Sequence, residues 1–136
     1  MKYYIIKFFK SVNLYDEEVF NDIIKNTTIV NKRYEDIKDI VGCYYCKPNN
    51  SLKLVLPAIE TIQDVLIHVH EYTHAITGSD DELLPNMMEA LFVKQYFNES
   101  DIIESIIDDT QDEINKSVSD KHTFAKKLKI QFIKNS

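Results

Sequence analysis

The chain contains few of the residues that build loops and linkers, with two glycines and three prolines among 136 residues. This scarcity excludes long flexible linkers, and the length is typical of one domain that buries a real core. Basic residues are outnumbered, 16 against 22 acidic ones, so the formal net charge is −6. Nucleic acid and anionic membranes are therefore disfavoured as partners. A hydrophobic fraction of 44% predicts a folded globule, and we expect one domain spanning residues 1–136.

Long apolar runs are missing too, and none reaches the length of a membrane span. The first ten residues are largely apolar, but Lys7 and Lys10 interrupt them, and no small-residue cleavage site of a secretory signal follows. Cysteine is limited to Cys43 and Cys46, a C-x-x-C without a second Cys or His pair at zinc-finger spacing. Residues i and i+3 of a strand point to opposite faces, so we expect ordinary reduced cysteines. These absences predict a cytoplasmic protein.

Residue patterns predict strands early in the chain and helices late. Tyr, Ile and Phe at 3–9 predict an opening strand, and the apolar spacing at 15–26 predicts a helix. Two antiparallel strands are expected at 41–47 and 52–56, joined by a turn at 48–50. This order of elements indicates an α+β fold.

The second half of the chain carries helical signals. A helix begins after Thr61, which is a suitable N-cap with Asp64 three residues later, and ends at Gly78. A second helix begins near Pro85 and a third after Ser100. The Lys-rich tail is expected to be extended and to pack against the acidic helix before it. The predicted fold is a small mixed or antiparallel sheet packed against the helix after Thr61, followed by the later helices.

Three of the four histidines fall within the seven residues HVHEYTH at 68–74. A helix places His70 and His74 one turn apart on the same face, where two imidazoles can bind one zinc ion. Glu71 is rotated by about 100° around the axis and can reach a water molecule on that ion. The H-E-x-x-H pattern therefore predicts two zinc ligands and a general base. His68 points to the opposite side, so we expect it at the surface or against a neighbouring element.

A catalytic zinc ion needs a third protein ligand, and Glu89 is the best candidate. It is the only charged residue of the segment NMMEALFV, where an uncompensated carboxylate would be costly to bury. Antiparallel packing of its helix against the preceding one would return it to the motif. Competing ligands are Asp80, Asp81 and Glu82 in the acidic turn, which are more naturally solvated or used as caps. An α+β domain with a histidine-rich helix and no metal stays open as an alternative.

The stretch IHVHEYTHAI resembles the extended signature of the zincin metallopeptidases, in which uncharged residues surround the two histidines and the glutamate. With Glu89 on a following helix, the chain is similar to the gluzincin branch, which includes thermolysin. Its short length makes it most similar to the minimal gluzincins, or minigluzincins. The resemblance implies a zincin-like domain in which His70, His74 and Glu89 bind Zn2+ and Glu71 is the general base.

The resemblance also bears on the substrate and the tail. The family's sheet has an edge strand that binds extended peptide, and either 52–56 or 41–47 would serve here. Terminal segments restrain activity in minigluzincins, which predicts that the tail from Lys126 folds over the cleft. One departure from thermolysin-like enzymes is Val93, which stands where they have an aspartate that holds the first histidine.

The predicted function is that of a zinc-dependent metallopeptidase, an endopeptidase rather than an exopeptidase, acting on a peptide or protein substrate. Glu71 would take a proton from the attacking water and return it to the leaving amine. His122 and Tyr96 are candidate donors to the oxyanion that forms during hydrolysis. Two alternatives are a catalytically silent zincin-like module that binds or regulates a partner and a selective protease of one regulatory protein.

Overall fold

The computed structural model describes residues 2–46, 51–116 and 120–135, without the side chains of residues 45 and 46. Over these residues the chain forms seven helices and three strands, which confirms the α+β class. In chain order they are α1 Lys2–Ser11, α2 Glu17–Lys25, β1 Thr27–Val30, α3 Tyr34–Ile37, β2 Gly42–Cys46, β3 Ser51–Pro57, α4 Ile62–Thr77, α5 Leu83–Tyr96, α6 Ser100–Lys116 and α7 Asp120–Lys134. Within the described ranges, no helix has the length and apolar character needed to cross a membrane.

The chain divides into two compact units, a first unit Met1–Ser79 and a second unit Asp80–Ser136. The first unit holds all three strands, the helices α1 to α4 and the H-E-x-x-H motif. The second unit holds α5 to α7 and Glu89. The sequence-based expectation of one domain over residues 1–136 stays a prediction.

The sheet of the first unit has the strand order β1–β3–β2 and is mixed, as predicted. β1 runs parallel to β3, whereas β2 pairs with β3 in the antiparallel sense. The strands expected at 41–47 and 52–56 are thus confirmed, while their turn at 48–50 lies outside the described residues. Because β3 is the central strand, the suggestion that 52–56 forms a peptide-binding edge is wrong. β2 is an edge strand and keeps that role open.

The opening strand predicted at 3–9 is wrong, since these residues belong to helix α1. Ile5, Phe8 and Phe9 follow the i, i+3, i+4 spacing of one helical face, and all three are buried. A strand would have put Lys7 on the same face as Ile5 and Phe9. The helix keeps the lysine out of the core, and this gain outweighs the strand propensity of the aromatic and β-branched residues.

Helix α2 confirms the helix predicted at 15–26, and its start is set by Asp16, whose carboxylate accepts a hydrogen bond from the Val19 backbone N–H at 3.1 Å. Its buried face centres on Phe20 and Ile23. The Phe20 ring lies 5.4 Å from that of Phe9 in α1 and 6.1 Å from that of Tyr72 in α4. The aromatic contacts therefore join α1, α2 and α4 into one core.

Helix α4 begins and ends where the sequence predicts. Thr61 and Asp64 form a full capping box at its start, and Gly78 ends it in the left-handed conformation with φ of 67°. The helix contacts α2, β2 and β3, so its motif is held by both helical and sheet neighbours.

The extended tail predicted from Lys126 is wrong, because this segment belongs to helix α7. Ala125, Lys129 and Ile133 recur every four residues on its buried face. The predicted packing of the basic tail against the acidic helix α6 is confirmed, and Lys126 pairs with Glu113 at 2.8 Å. α7 also packs against α5 within the second unit.

Candidate metal centre

His70, Glu71 and His74 form the one group among the described residues in which three His, Cys, Asp or Glu side chains are placed to hold a metal ion. One ligand atom from each of the three lies within 4.8 Å of the others. Glu71 and His74 are buried and His70 is half-buried. The helical spacing of α4 alone produces this grouping, as the sequence predicts.

The end of α4 fixes the orientation of His74. Its Nδ1 lies 2.8 Å from the carbonyl oxygen of Ser79, and because a carbonyl only accepts, Nδ1 carries the proton. The lone pair of a neutral His74 is therefore on Nε2, the atom a metal would take. The left-handed Gly78 turns the chain after the helix and precedes the Ser79 carbonyl. The sequence pattern predicts Gly78 as a helix cap but gives no sign of its bearing on the site.

The two imidazoles of the motif converge. His74 Nε2 lies 3.2 Å from His70 Nε2, and the ring centroids are 4.9 Å apart. Two nitrogens bound to one tetrahedral zinc ion at the usual bond length would be about 3.3 Å apart. The observed separation therefore fits the spacing that zinc requires from a pair of histidines.

Glu71 influences a thiol on the edge strand. Burial, and after it the charge of Glu71, raises the pKa of Cys43 from 9.0 to about 11. Cys43 is a free thiol, and a raised pKa keeps it protonated and poorly nucleophilic at neutral pH. This agrees with an ordinary reduced cysteine. The side chain of Cys46 lies outside the described part of the chain.

His68 points away from the motif and contacts a neighbouring element, which confirms one of the two predicted placements, and it is buried rather than at the surface. Its Nε2 donates to the carbonyl oxygen of Pro57 at 2.8 Å, and its ring packs edge-on against Tyr72 at 5.9 Å between centroids. Burial lowers the pKa of His68, although the Pro57 carbonyl and Asp64 act in the opposite direction. The imidazole is therefore a neutral core group that ties α4 to the end of β3.

Glu89 is buried in the second unit, as its apolar neighbours predict. Its Oε1 accepts a hydrogen bond from Lys129 Nζ at 3.2 Å, and the two side chains are only 7% and 3% exposed. The prediction for Glu89 does not include this cation. The signal was available, because Lys129 stands midway between Ala125 and Ile133 on the buried stripe of α7.

The acidic turn has local roles in the second unit. The Asp81 carboxylate accepts hydrogen bonds from the backbone N–H groups of Leu83 and Leu84 at 3.2 and 3.3 Å, so it caps the start of α5. The backbone carbonyl of Asp80 accepts a hydrogen bond from the Lys121 ammonium at 2.9 Å. These contacts agree with the expectation that the turn is used for capping.

The two candidate oxyanion donors also lie in the second unit. His122 is half-buried, with Nδ1 3.5 Å from Oε2 of Glu82. The Tyr96 hydroxyl accepts from Gln95 at 3.2 Å, and its ring lies against Phe92. Their part in hydrolysis stays a prediction.

Comparison with protein-family models, with curated proteins and with solved structures finds no match to this chain. The resemblance to the gluzincins thus depends on the motif with its uncharged neighbours, on Glu89 and on the short length of the chain. The geometry of the histidine pair is the independent support for a metal site.

Proposed function

We propose that this chain is a zinc-dependent metallopeptidase, an endopeptidase that hydrolyses peptide bonds of a peptide or protein substrate. One observation carries the proposal: the Nε2 atoms of His70 and His74 converge to 3.2 Å beside the carboxylate of Glu71. Two imidazoles are suitable zinc ligands, and the carboxylate at the next position is suited to proton transfer.

The chain's own part in the reaction belongs to Glu71. When bound, zinc supplies Lewis acidity toward the substrate carbonyl and lowers the pKa of a nearby water. Glu71 accepts the proton of the attacking water and passes it to the amine that leaves. Because Glu71 is buried, its carboxylate has little bulk water to compete for that proton.

The ligand set and the substrate surface are proposed as follows. From the sequence we take Glu89 as the third ligand. β2 is the proposed docking strand, because it is an edge of the sheet and contacts α4. An extended peptide would add to its free edge through backbone hydrogen bonds.

Metal content tests the proposal first. Protein purified without added zinc, or dialysed against zinc and washed, should hold about one zinc ion per chain, as measured by inductively coupled plasma mass spectrometry. His74→Gln should lose most of it, whereas His122→Gln removes a half-buried imidazole outside the motif and should keep it. A wild-type protein that takes up no zinc would refute the enzyme proposal.

Proton transfer is tested by Glu71→Gln. The variant should retain its zinc and lose at least about 100-fold in the rate of cleavage of an unfolded substrate such as casein, since a general base typically contributes that much or more. Glu104→Gln, an exposed carboxylate in α6, is the matched control and should cleave like wild type. Equal rates in Glu71→Gln and wild type would exclude Glu71 as the base.

The buried pair of Glu89 and Lys129 favours a second candidate, a catalytically silent metal-binding module. A carboxylate already joined to an ammonium has less free charge to offer a metal. If Glu89 stays with Lys129, the histidines would hold zinc without the third ligand of a hydrolase. Zinc titration separates the two candidates. Glu89→Gln weakens zinc binding by tenfold or more if Glu89 is a ligand, and leaves it unchanged in the silent module.

A further inference from the structure

A cavity of about 310 Å³ lies within the first unit, on the side of α4 that carries His68 and Tyr72. It is lined by residues of α1, α2, β1 and α4 and by the segment after β3, and its wall is mostly apolar, with Ile5, Ile24 and Ala58 among the lining residues. Its volume falls at the lower end of the range of small-molecule sites. His70 and His74 are on the opposite side of the helix, so the cavity is separate from the candidate metal centre.

Two apolar side chains at the mouth of the cavity are exposed to solvent. Ile29 on β1 is 51% exposed, and Ile59 after β3 is also exposed. Single exposed apolar residues are common, but two of them on the rim of one apolar cavity extend its surface outward. An apolar ligand would cover both.

Tyr72 brings a polar group to the wall without a protein partner for it. The residue is only 5% exposed, and its hydroxyl makes no hydrogen bond to any residue that the structure describes. Burial raises the pKa of Tyr72, so the phenol stays protonated and is a hydrogen-bond donor. The hydroxyl is accessible rather than fully buried, so an acceptor on a ligand in the cavity could take its hydrogen bond.

The opening also carries positive charge. Lys2 lines the cavity and is exposed, and its ammonium forms no ion pair within the described ranges. Helix α1 begins at this lysine and has no acidic residue in its first turn. The unpaired backbone N–H groups of that turn add to the positive potential.

We propose that this cavity binds a small amphipathic molecule with an apolar chain and a carboxylate head, of the size of a medium-chain fatty acid. The isoleucines enclose the chain. The carboxylate accepts hydrogen bonds from the Tyr72 hydroxyl and the Lys2 ammonium. Apolar lining, a donor without a partner and a cation at the mouth together select an anion over a neutral or cationic head. The proposal does not depend on the metallopeptidase function.

Calorimetric titration of the full chain with decanoate, decanol and decylamine, each below its micelle concentration, tests the proposal. Decanoate should bind at about one per chain and tighter than the alcohol and the amine, because charge-assisted hydrogen bonds are the stronger ones. Lys2→Gln should weaken decanoate about tenfold and leave decanol unchanged, and Tyr72→Phe should weaken decanoate to a similar degree. Lys7→Gln, which removes another lysine of α1, is the control and should bind like wild type.

Two further variants locate the site. Ala58→Phe fills the cavity and should abolish binding, while His70→Gln combined with His74→Gln should leave it unchanged. The proposal is overturned if decanoate does not bind at millimolar concentration or if the three head groups bind equally. It is also overturned if Ala58→Phe binds as wild type does, or if the histidine variant loses binding, since the ligand would then lie elsewhere. Because Lys2 is exposed, its variant decides the head-group question even if Ala58→Phe fails to fold.

Discussion

The two compact units satisfy their buried polar side chains in different ways. In the first unit, backbone carbonyls hold the imidazoles: Pro57 accepts from His68, and Ser79 accepts from His74. In the second unit, opposite charges meet, with Glu89 and Lys129 3.2 Å apart. An imidazole held through one nitrogen presents the other to a ligand, whereas a carboxylate joined to an ammonium is already compensated. The first arrangement suits the capture of a cation, and the second suits a unit that is stable without one.

The largest effect is expected from breaking the charge pair. Lys129→Met leaves the Glu89 carboxylate buried without its cation, so the free energy of unfolding should fall by about 3–5 kcal/mol. Urea denaturation followed by circular dichroism measures the change. Lys126→Met is the control on the same helix. Its partner Glu113 is more exposed, and the loss should be at most about 1 kcal/mol.

The double variant Glu89→Leu with Lys129→Met sharpens this test, because it removes both charges and leaves no lone ion in the core. It should be more stable than Lys129→Met alone. If Lys129→Met destabilises no more than Lys126→Met, the pair is not the main compensation for Glu89, and the contrast between the units fails.

Zinc should stabilise the protein through the motif of the first unit. At a concentration 100-fold above its dissociation constant, zinc should raise the free energy of unfolding by about 2.7 kcal/mol, because it binds only the folded chain. The combined variant His70→Gln and His74→Gln should gain nothing. Magnesium, which prefers oxygen ligands, is the metal control and should have no effect on either protein. Equal stabilisation of wild type and variant by zinc would place the ion outside the motif.

The sequence predicts what is local and misses what is not. The placement of His70 beside His74 follows from i, i+4 geometry within one helix, so no tertiary information was needed. Thr61 and Gly78 were predicted for the same reason. The contact between Glu89 and Lys129 joins residues 40 positions apart. The spacing of α7 can indicate that Lys129 is buried, but no periodicity indicates that Glu89 is its partner.

The strand predicted at 3–9, where the structure has helix α1, is wrong for a different reason. Its Tyr, Ile and Phe residues have high strand propensity, and a short apolar run does not by itself separate strand from helix. The position of Lys7 decides the question, because only a helix keeps it away from the face of Ile5 and Phe9. The prediction of an extended tail from Lys126 is wrong for a similar reason, because Lys129 belongs to the buried stripe of helix α7.

The thiol of Cys43 reports on the charge of Glu71 and so on the electrostatics of the first unit. With a pKa near 11 instead of 9.0, its thiolate fraction at pH 8 is about 100-fold below that of an unshifted thiol. Alkylation by iodoacetamide in a Cys46→Ser background should be slower by the same factor. Its rate should keep rising from pH 8 to pH 10, because deprotonation is incomplete until the raised pKa is passed.

Glu71→Gln in that background should lower the pKa of Cys43 only part of the way, because burial is the larger cause and remains. Alkylation at pH 8 should therefore be faster than with Glu71 present and slower than for a free thiol. A rate that levels off near pH 9 before any substitution would contradict the raised pKa. Mass spectrometry of the alkylated protein gives both rates.

The smallest effect tests how firmly the start of α4 is held. The Thr61 hydroxyl accepts from the Asp64 backbone N–H at 3.3 Å, and the Asp64 carboxylate accepts from the backbone N–H of Thr61 at 2.9 Å. Thr61→Ala removes half of this box and should lower the free energy of unfolding by about 1 kcal/mol. Thr61→Ser keeps the oxygen and should be close to wild type.

In the second unit, Glu82 at the N-cap of α5 makes no side-chain cap bond. Glu82→Ala should therefore lower the free energy of unfolding less than Thr61→Ala does in the same urea titration. The reverse order would mean that the box at Thr61 contributes little to holding the motif helix.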